Sequence, residues 1–234
     1  MTSSEDVRIA SGRPGPTGRP TLGPDNCPGV AVFVVILAVE SGELRVLLVS
    51  RSAEPFRGLW SLPGGVLARE QSLDEAATHK LRRETGVTDV YLEQLYTFHN
   101  LDGRGSVAVA YFALVDSRQA ELAQRRTWRP AWFPVADLPP LAFDNNRVID
   151  YALLRLRAKL DYSNVAYSVL PHYFTLSQLQ RVYEAILSRP LDKRNFRKRM
   201  LSLGIIEPTG RTVAEGAHRP AQLYAFRERR PVIF

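Results

Sequence analysis

Gly64-Gly65-Val66-Leu67-Ala68-Arg69-Glu70-Gln71-Ser72-Leu73-Asp74-Glu75-Ala76-Ala77-Thr78-His79-Lys80-Leu81-Arg82-Arg83-Glu84-Thr85-Gly86-Val87 reads as a glycine turn, a short loop and an amphipathic helix over 72–85. Leu73, Ala76, Ala77 and Leu81 recur at the spacing of one helix face. Gly86 supplies the left-handed stop that ends such a helix. Residues 80, 83 and 84 lie three and four apart, so they share a second face. That face carries Lys80, Arg83 and Glu84. Hard divalent cations take oxygen ligands, so two cations beside one carboxylate make a poor Mg²⁺ site. The same two cations suit a diphosphate, whose charge must be neutralised in any complex. Lys80 and Glu84 also satisfy the spacing of an ordinary surface ion pair, worth a few tenths of a kcal/mol.

Outward from this stretch the chain alternates strands with few helices. Segments 30–39 and 44–49 are β-branched strands around Glu40-Ser41-Gly42-Glu43, and 60–62 is a short strand entering the glycine turn. Segments 91–99, 106–115 and 127–133 read as further strands. Residues 145–161 form a helix with Ile149, Ala152, Leu153, Leu156 and Leu160 on one face. This pattern predicts a mixed α/β sandwich. Beyond Pro171 the style changes. Thr175 and Gln178 form a capping-box signature ahead of Leu176, Leu179, Val182, Tyr183, Ile186 and Leu187. A turn follows at 188–191, then a second helix over 193–203 capped by Asp192 and closed by Gly204. Ile205-Ile206 and 222–226 read as two strands around a polar loop, 207–221. Helix, turn, helix and hairpin follow the order of a winged helix-turn-helix.

Charge sharpens the division. Residues 1–28 carry 3 basic and 3 acidic side chains, and 29–188 carry 17 of each; 189–234 carry 11 basic and 4 acidic. The whole excess of +7 therefore lies at one end, as in proteins that contact a polyanion. In the second helix Phe196, Met200 and Leu203 recur at the spacing that docks against Leu179, Tyr183 and Ile186. Lys193, Arg194, Asn195, Arg197 and Lys198 are then left to meet phosphates and base edges. Arg211, His218 and Arg219 in the polar loop would contact phosphates as a wing. A membrane-surface helix would want Trp or Leu anchors beside its basic residues, and this helix lacks that amphipathic form. No apolar run approaches the roughly 20 residues a bilayer span needs. Residues 1–28 have almost no large apolar side chains and read as a disordered tail. Cys27, the single cysteine, excludes an intramolecular disulfide and fits a reducing cytoplasm.

Preceded by Trp60-Ser61-Leu62-Pro63, the opening stretch resembles the Nudix box. Anchored on Gly65, Leu81, Gly86 and Val87 the spacing matches throughout, but Gln71, His79-Lys80 and Arg83 stand where that motif has Glu, Arg-Glu and Glu. Only Glu84 retains a box carboxylate. Shifting the register to let Glu70 serve as a ligand would misplace Leu81 and Gly86, and His79 suits packing better than catalysis. In the family these carboxylates hold the divalent cations that activate water. The resemblance therefore implies a domain that binds a nucleotide-like ligand without cleaving it, and no cofactor.

Joined to a basic winged helix, and with Phe174-Thr175-Leu176 and Pro220-Ala221-Gln222-Leu223-Tyr224 flanking it, the chain resembles the Nudix-related transcriptional regulators, the NrtR family. That resemblance implies an α+β chain: a Nudix-like sandwich followed by a winged helix-turn-helix. Its expected parts are a disordered tail over 1–28, an effector domain over 29–142, a connecting helix over 143–162 and a DNA-binding domain over 163–234. It implies a cytoplasmic repressor, a homodimer on palindromic double-stranded operator DNA, controlling NAD synthesis or salvage genes and released by ADP-ribose or a related nucleotide. It places Arg51, Arg57, Trp60, Lys80, Arg83, Glu84, Arg104 and Tyr111 around the ligand cleft. Members often have Arg-Asp-Pro-Arg where this chain has Asn100-Leu101-Asp102-Gly103-Arg104, and Phe-Asp-His where it has Phe143-Asp144-Asn145; both differences bear on ligand identity. Two other readings start from the same residues. An active hydrolase with an accessory basic domain predicts Mg²⁺-dependent turnover. A basic scaffold or RNA-binding protein predicts binding with little sequence preference.

Overall fold

The computed structural model describes residues 29–87, 91–99, 101, 105–122, 129–214 and 220–234. The expected tail 1–28, residues 127 and 128 of an expected strand, and Arg104, His218 and Arg219 lie outside the described residues. The first part runs β1 (Val30–Glu40), β2 (Glu43–Ser50), β3 (Trp60–Ser61), β4 (Gly64–Val66), α1 (Leu73–Thr85), β5 (Tyr91–His99), β6 (Val107–Val115) and β7 (Arg129–Pro134). All seven described strands join one sheet.

β1 is its spine. Its apolar residues are continuous rather than alternating because both faces are covered. Along one side it pairs in parallel with β6, from Val30 opposite Val107 to Ala38 opposite Val115. Its other side is shared. Residues Ala31 to Phe33 pair with β4, and Leu37 to Glu40 pair with β2. The glycine turn is thus itself a strand of the sheet, which its composition hides. Gly64 lies opposite Phe33, and a Cβ there would stand 2.3 Å from Phe33 Cδ1 and 2.8 Å from the Val32 carbonyl oxygen. β5 closes the sheet beyond β6, and β2 also pairs with β3 and β7.

The alternating side chains of β1 split the interior in two. Val34 and Ile36 pack with Ala76, Ala77 and Leu81 of α1. Val35 and Leu37 face the opposite side, toward α2 (Asn145–Tyr162). After α2 come a 3-10 turn (Val165–Val169), β8 (Phe174–Thr175), α3 (Leu176–Leu187), α4 (Lys193–Ser202), β9 (Ile206–Val213) and β10 (Ala221–Phe226). β8, β10 and β9 form a second sheet in that order.

The two sheets share one apolar core. Leu48, Leu156, Leu179 and Met200 belong to the same buried cluster, so the helix-turn-helix is seated on the sandwich. The ends of α1 obey local chemistry. Ser72 caps it reciprocally with Glu75, and Gly86 ends it at φ +70°. Thr175 and Gln178 cap α3 in the same way. One expectation needs correction. The polar stretch after Ile206 is strand through Val213, because a wing strand is exposed on both faces and so carries no apolar alternation. The 3-10 turn and β8 had no sequence signal either.

Candidate functional site

The box helix is positioned by the turn before it. A Cβ at Gly65 would stand 3.1 Å from Lys80 Nζ, so the ammonium lies directly beneath the glycine backbone. Burial of Lys80 lowers its pKa, the neighbouring Arg83 lowers it further, and Glu84 opposes both. Glu84 is only 1% exposed, with the Arg83 guanidinium 3.6 Å away. A single buried carboxylate already beside a guanidinium does not fit a hard divalent cation. Among the described residues there is no group of three His, Cys, Asp or Glu arranged to hold a metal. The electrostatics of this face favour an anion.

On the other side of the glycine strand opens a cavity of about 470 Å³. Its walls come from the start of β1, from β4, from 105–108 and from the loop before α2. Phe33, Leu62, Val66 and Ala108 make it largely apolar, and Arg51 is its charged member. The Arg51 guanidinium lies 4.4 Å over the Phe143 ring, and its Nε donates to the Pro55 carbonyl at 3.0 Å. Burial lowers the Arg51 pKa, offset in part by Glu54. Phe143 holds its place with φ +57°, a strained value for a bulky residue, followed by Asp144 at φ +51°. Asn145 then fastens the loop: its buried Oδ1 accepts from the Leu62 amide at 2.8 Å. An apolar slot with a stacked guanidinium at its wall suits a flat aromatic ring carrying anionic groups.

The expected ligand residues divide sharply against this cavity. Arg51 lines it. Lys80 approaches from beneath Gly65, with Arg83 and Glu84 one turn farther along α1. Arg57 is exposed in the preceding loop, where its Nε donates to the Ser52 carbonyl at 3.1 Å. Two further expected residues, like Lys80, do not line this cavity. Trp60 turns into the core, its ring 4.6 Å from that of Phe133. Tyr111 stands opposite Val34 in the β1–β6 ladder, so strand parity sends it to the α1 side. There it is buried and donates to Asp74 Oδ1 at 2.5 Å, which with burial raises its pKa. Leu101 and Gly105, on either side of the segment holding Arg104, line the cavity. Phe33 escaped sequence reasoning because an isolated Phe reads as core, and Phe143 entered it only within a stretch that differs from the family. The unusual backbone at Phe143 has no compositional mark.

The second region is the face of α4. Phe196 and Met200 are buried, the Phe196 ring packing edge-on against Tyr183 at 5.2 Å. Lys193, Arg194, Asn195, Arg197 and Lys198 are all exposed. They do not share one environment. Lys193 and Arg197 line a groove of about 850 Å³ with Ser177 and Gln180 of α3 and Thr212 and Gln222 of the hairpin. Asn195 points the other way, into a pocket it shares with Asp161 and Arg199. Arg211 extends over the Tyr173 ring at 5.1 Å. The turn between the helices is held by Glu184, whose Oε1 accepts from Gln180 Nε2 and from the Leu191 amide, both at 2.9 Å.

Comparison with known proteins agrees with this division. The model of the NUDIX domain matches residues 28–152, and that of the NrtR DNA-binding winged helix domain matches 166–226. The ADPR responsive transcriptional repressor NtrR of Acinetobacter baylyi is 37% identical over 206 residues, covering 85% of this chain and 82% of its own. The crystal structure of Shewanella oneidensis NrtR complexed with a 27mer DNA matches with a TM-score of 0.75 at 37% identity, over 85% of this chain and 93% of that one. The NUDIX domain of the same protein complexed with ADP ribose matches at 0.51 with 36% identity, over 60% of this chain and 94% of that domain.

Proposed function

Because the chain belongs to the NrtR family of Nudix-related regulators, with both of that family's domains in order, we propose that it is a cytoplasmic repressor that binds operator DNA and is released by ADP-ribose. The observation that carries this reading is the pairing of two surfaces on one continuous core. One is a box helix whose metal-binding face has become Lys80 and Arg83. The other is a helix-turn-helix whose outward face is Lys193, Arg194, Arg197 and Lys198. The first keeps the means to hold a diphosphate and loses the means to activate water, so the domain senses rather than cleaves. In this reading Arg51 and Phe143 hold the flat part of the ligand and Lys80 its phosphates. The regulated genes are those of NAD synthesis or salvage, whose flux ADP-ribose reports. A homodimer meets a palindromic operator half-site by half-site.

Fluorescence anisotropy with a duplex from the chain's own upstream region provides the test. Binding should be tight and steeply salt-dependent, as expected when several phosphates are neutralised. ADP-ribose should weaken it, and by linkage DNA should weaken ADP-ribose binding by the same factor. Mg²⁺-dependent hydrolysis of ADP-ribose at ordinary enzyme rates would instead identify a hydrolase. Binding without preference over random duplex would identify a nonspecific nucleic-acid binder.

A further inference from the structure

The wing strand does not run evenly along its partner. Thr212 of β9 stands opposite Gln222 of β10, and Pro208 stands opposite Tyr224. Thr209, Gly210 and Arg211 therefore face Leu223 alone, as a bulge. Polar side chains replace the missing ladder bonds. Thr209 Oγ1 donates to the Leu223 carbonyl at 3.0 Å and accepts from the Arg211 amide at 3.3 Å. Gln222 Nε2 donates to the carbonyls of Arg211 and Leu223 at 3.1 and 3.0 Å. Gly210 takes φ +74°, a value that L side chains resist. Such a bulge bends its strand and re-aims the side chains it carries.

Here the re-aimed side chain is Arg211. β8 and β9 flank β10, so Arg211 reaches across β10 to lie over the ring of Tyr173, the residue before β8. Other arginines of this end are tied differently. Arg199 binds Asp161, Arg227 is 3.8 Å from Glu207, and Arg230 is 3.0 Å from Glu228. A carboxylate engages the in-plane N–H donors of a guanidinium, whereas a ring takes only its face. Tyr173 therefore orients Arg211 without using its donor edge. The pair stands beside the groove of about 850 Å³. Thr212 and Thr175, close in the chain to Arg211 and Tyr173, line it with Lys193 and Arg197 of α4. Arg211 is exposed and Tyr173 is 43% exposed, so this ring serves as a platform rather than as core.

We infer that Tyr173 is a positioning residue for DNA: it presents the donor edge of Arg211 to a backbone phosphate flanking the bases that α4 meets. Such a contact sets register and orientation and reads no base. Ordering a long side chain on binding costs affinity, and a guanidinium already seated on a ring escapes part of that cost. The inference rests on the repressor reading, which supplies the DNA.

Anisotropy titrations of the full chain test it, against a duplex from its own upstream region and a random duplex, over a range of salt concentrations. Arg211→Ala should weaken binding to both duplexes by the same factor and lower the salt slope by about one. Tyr173→Leu should weaken operator binding about two- to fivefold, the size of an exposed cation–π contact. Its salt slope should be unchanged, because the phosphate contact is still made, and its melting temperature should match wild type. Tyr173→Phe and Tyr173→Trp keep the ring and should bind as wild type does. In an Arg211→Ala background, Tyr173→Leu should add no further loss. A loss in Tyr173→Phe that persists without Arg211 would give the contact to the phenol hydroxyl and overturn the inference. Wild-type affinity in Tyr173→Leu would overturn it too, with the repressor reading intact. An Arg211→Ala loss confined to the operator would make Arg211 a base reader and remove the phosphate assignment. A wild-type chain indifferent to every duplex overturns the repressor reading itself, and the role of Arg211 with it.

Discussion

Lys80 packs its ammonium closely under the glycine turn, where a side chain at Gly65 would crowd it. Lys80→Met keeps the aliphatic stem and removes the charge. Charge-assisted hydrogen bonds contribute roughly 1.5–3 kcal/mol. ADP-ribose affinity measured by calorimetry should therefore fall on the order of tenfold to a hundredfold, with an unchanged melting temperature; unchanged affinity would detach Lys80 from the ligand. Tyr111→Phe should do the opposite. It deletes the hydrogen bond to Asp74 on the far side of the sheet from the cavity. The loss, on the order of 1–2 kcal/mol, should lower the melting temperature by several degrees and leave ADP-ribose affinity within about twofold. The pair shows what a sequence can and cannot assign at this scale. The placing of Lys80 beside Arg83 and Glu84 was legible, because helix spacing fixes those neighbours from within the motif. Tyr111 was not, because which face it takes depends on a register with β1, far away in the chain.

α3 and α4 were legible as elements because each has a capping residue and an apolar stripe of the right period, and α3 and α4 indeed meet through Tyr183 and Phe196. The wing was half legible: its strand β9 is exposed on both faces, so only β10 showed an apolar pattern. The turn between the helices carries a pH signature that no pattern shows. The hydrogen bonds from Gln180 and from the Leu191 amide hold the Glu184 carboxyl below its usual value. A carboxylate with a depressed native pKa contributes stability that is complete above its unfolded value and lost as pH falls through the folded one. Acid unfolding followed by circular dichroism should thus begin at higher pH for wild type than its Glu184→Gln variant, once each is referred to its own stability at neutral pH; superimposable acid limbs would show that the turn does not respond to this group. On α4 the split environment separates two classes of contact. Arg197→Ala, in the groove toward the wing, should weaken operator binding by about 1–3 kcal/mol, whereas Asn195→Ala, directed toward α2, should change it much less. Equal losses in a titration at matched salt would show that both residues face DNA.

Across the whole molecule, α2 is the member that touches both ends of the proposed switch. Its first residue, Asn145, accepts a hydrogen bond from Leu62 in the cavity wall, next to Phe143. Midway, Arg157 donates to the Ile186 carbonyl at 3.0 Å, at the end of α3. Its last turn holds Arg199 of α4 through Asp161. Just beyond, buried Asn164 binds the segment that leaves β10: its Nδ2 donates to the carbonyls of Glu228 and Arg230, and its Oδ1 accepts from the Val232 amide, each at 2.9 Å. Arg229 adds bonds to the carbonyls of Tyr167 and Leu170 at 2.9 and 3.0 Å. The return of residues 227–234 onto α2 was invisible in the sequence, because it is made largely by backbone groups and has no apolar period. Both reading elements, α4 and the wing, are therefore fixed to the far end of a helix whose near end borders the effector cavity. A displacement of the Phe143 loop by ligand would reach them through a rod about 27 Å long. Cutting one fastening should loosen that linkage without removing any residue from cavity or DNA. Asn164→Ala combined with Arg229→Ala should keep operator affinity within about threefold when no effector is present, while the effector's influence drops. Allosteric couplings of about 1–3 kcal/mol correspond to about 5–150-fold changes in affinity. Anisotropy titrations of the double variant should show ADP-ribose shifting operator affinity by about threefold or less, well short of the wild-type shift. A wild-type response in the doubly substituted chain would mean that the signal passes through α4 and the shared core alone, and that the C-terminal return serves only to hold the wing in place.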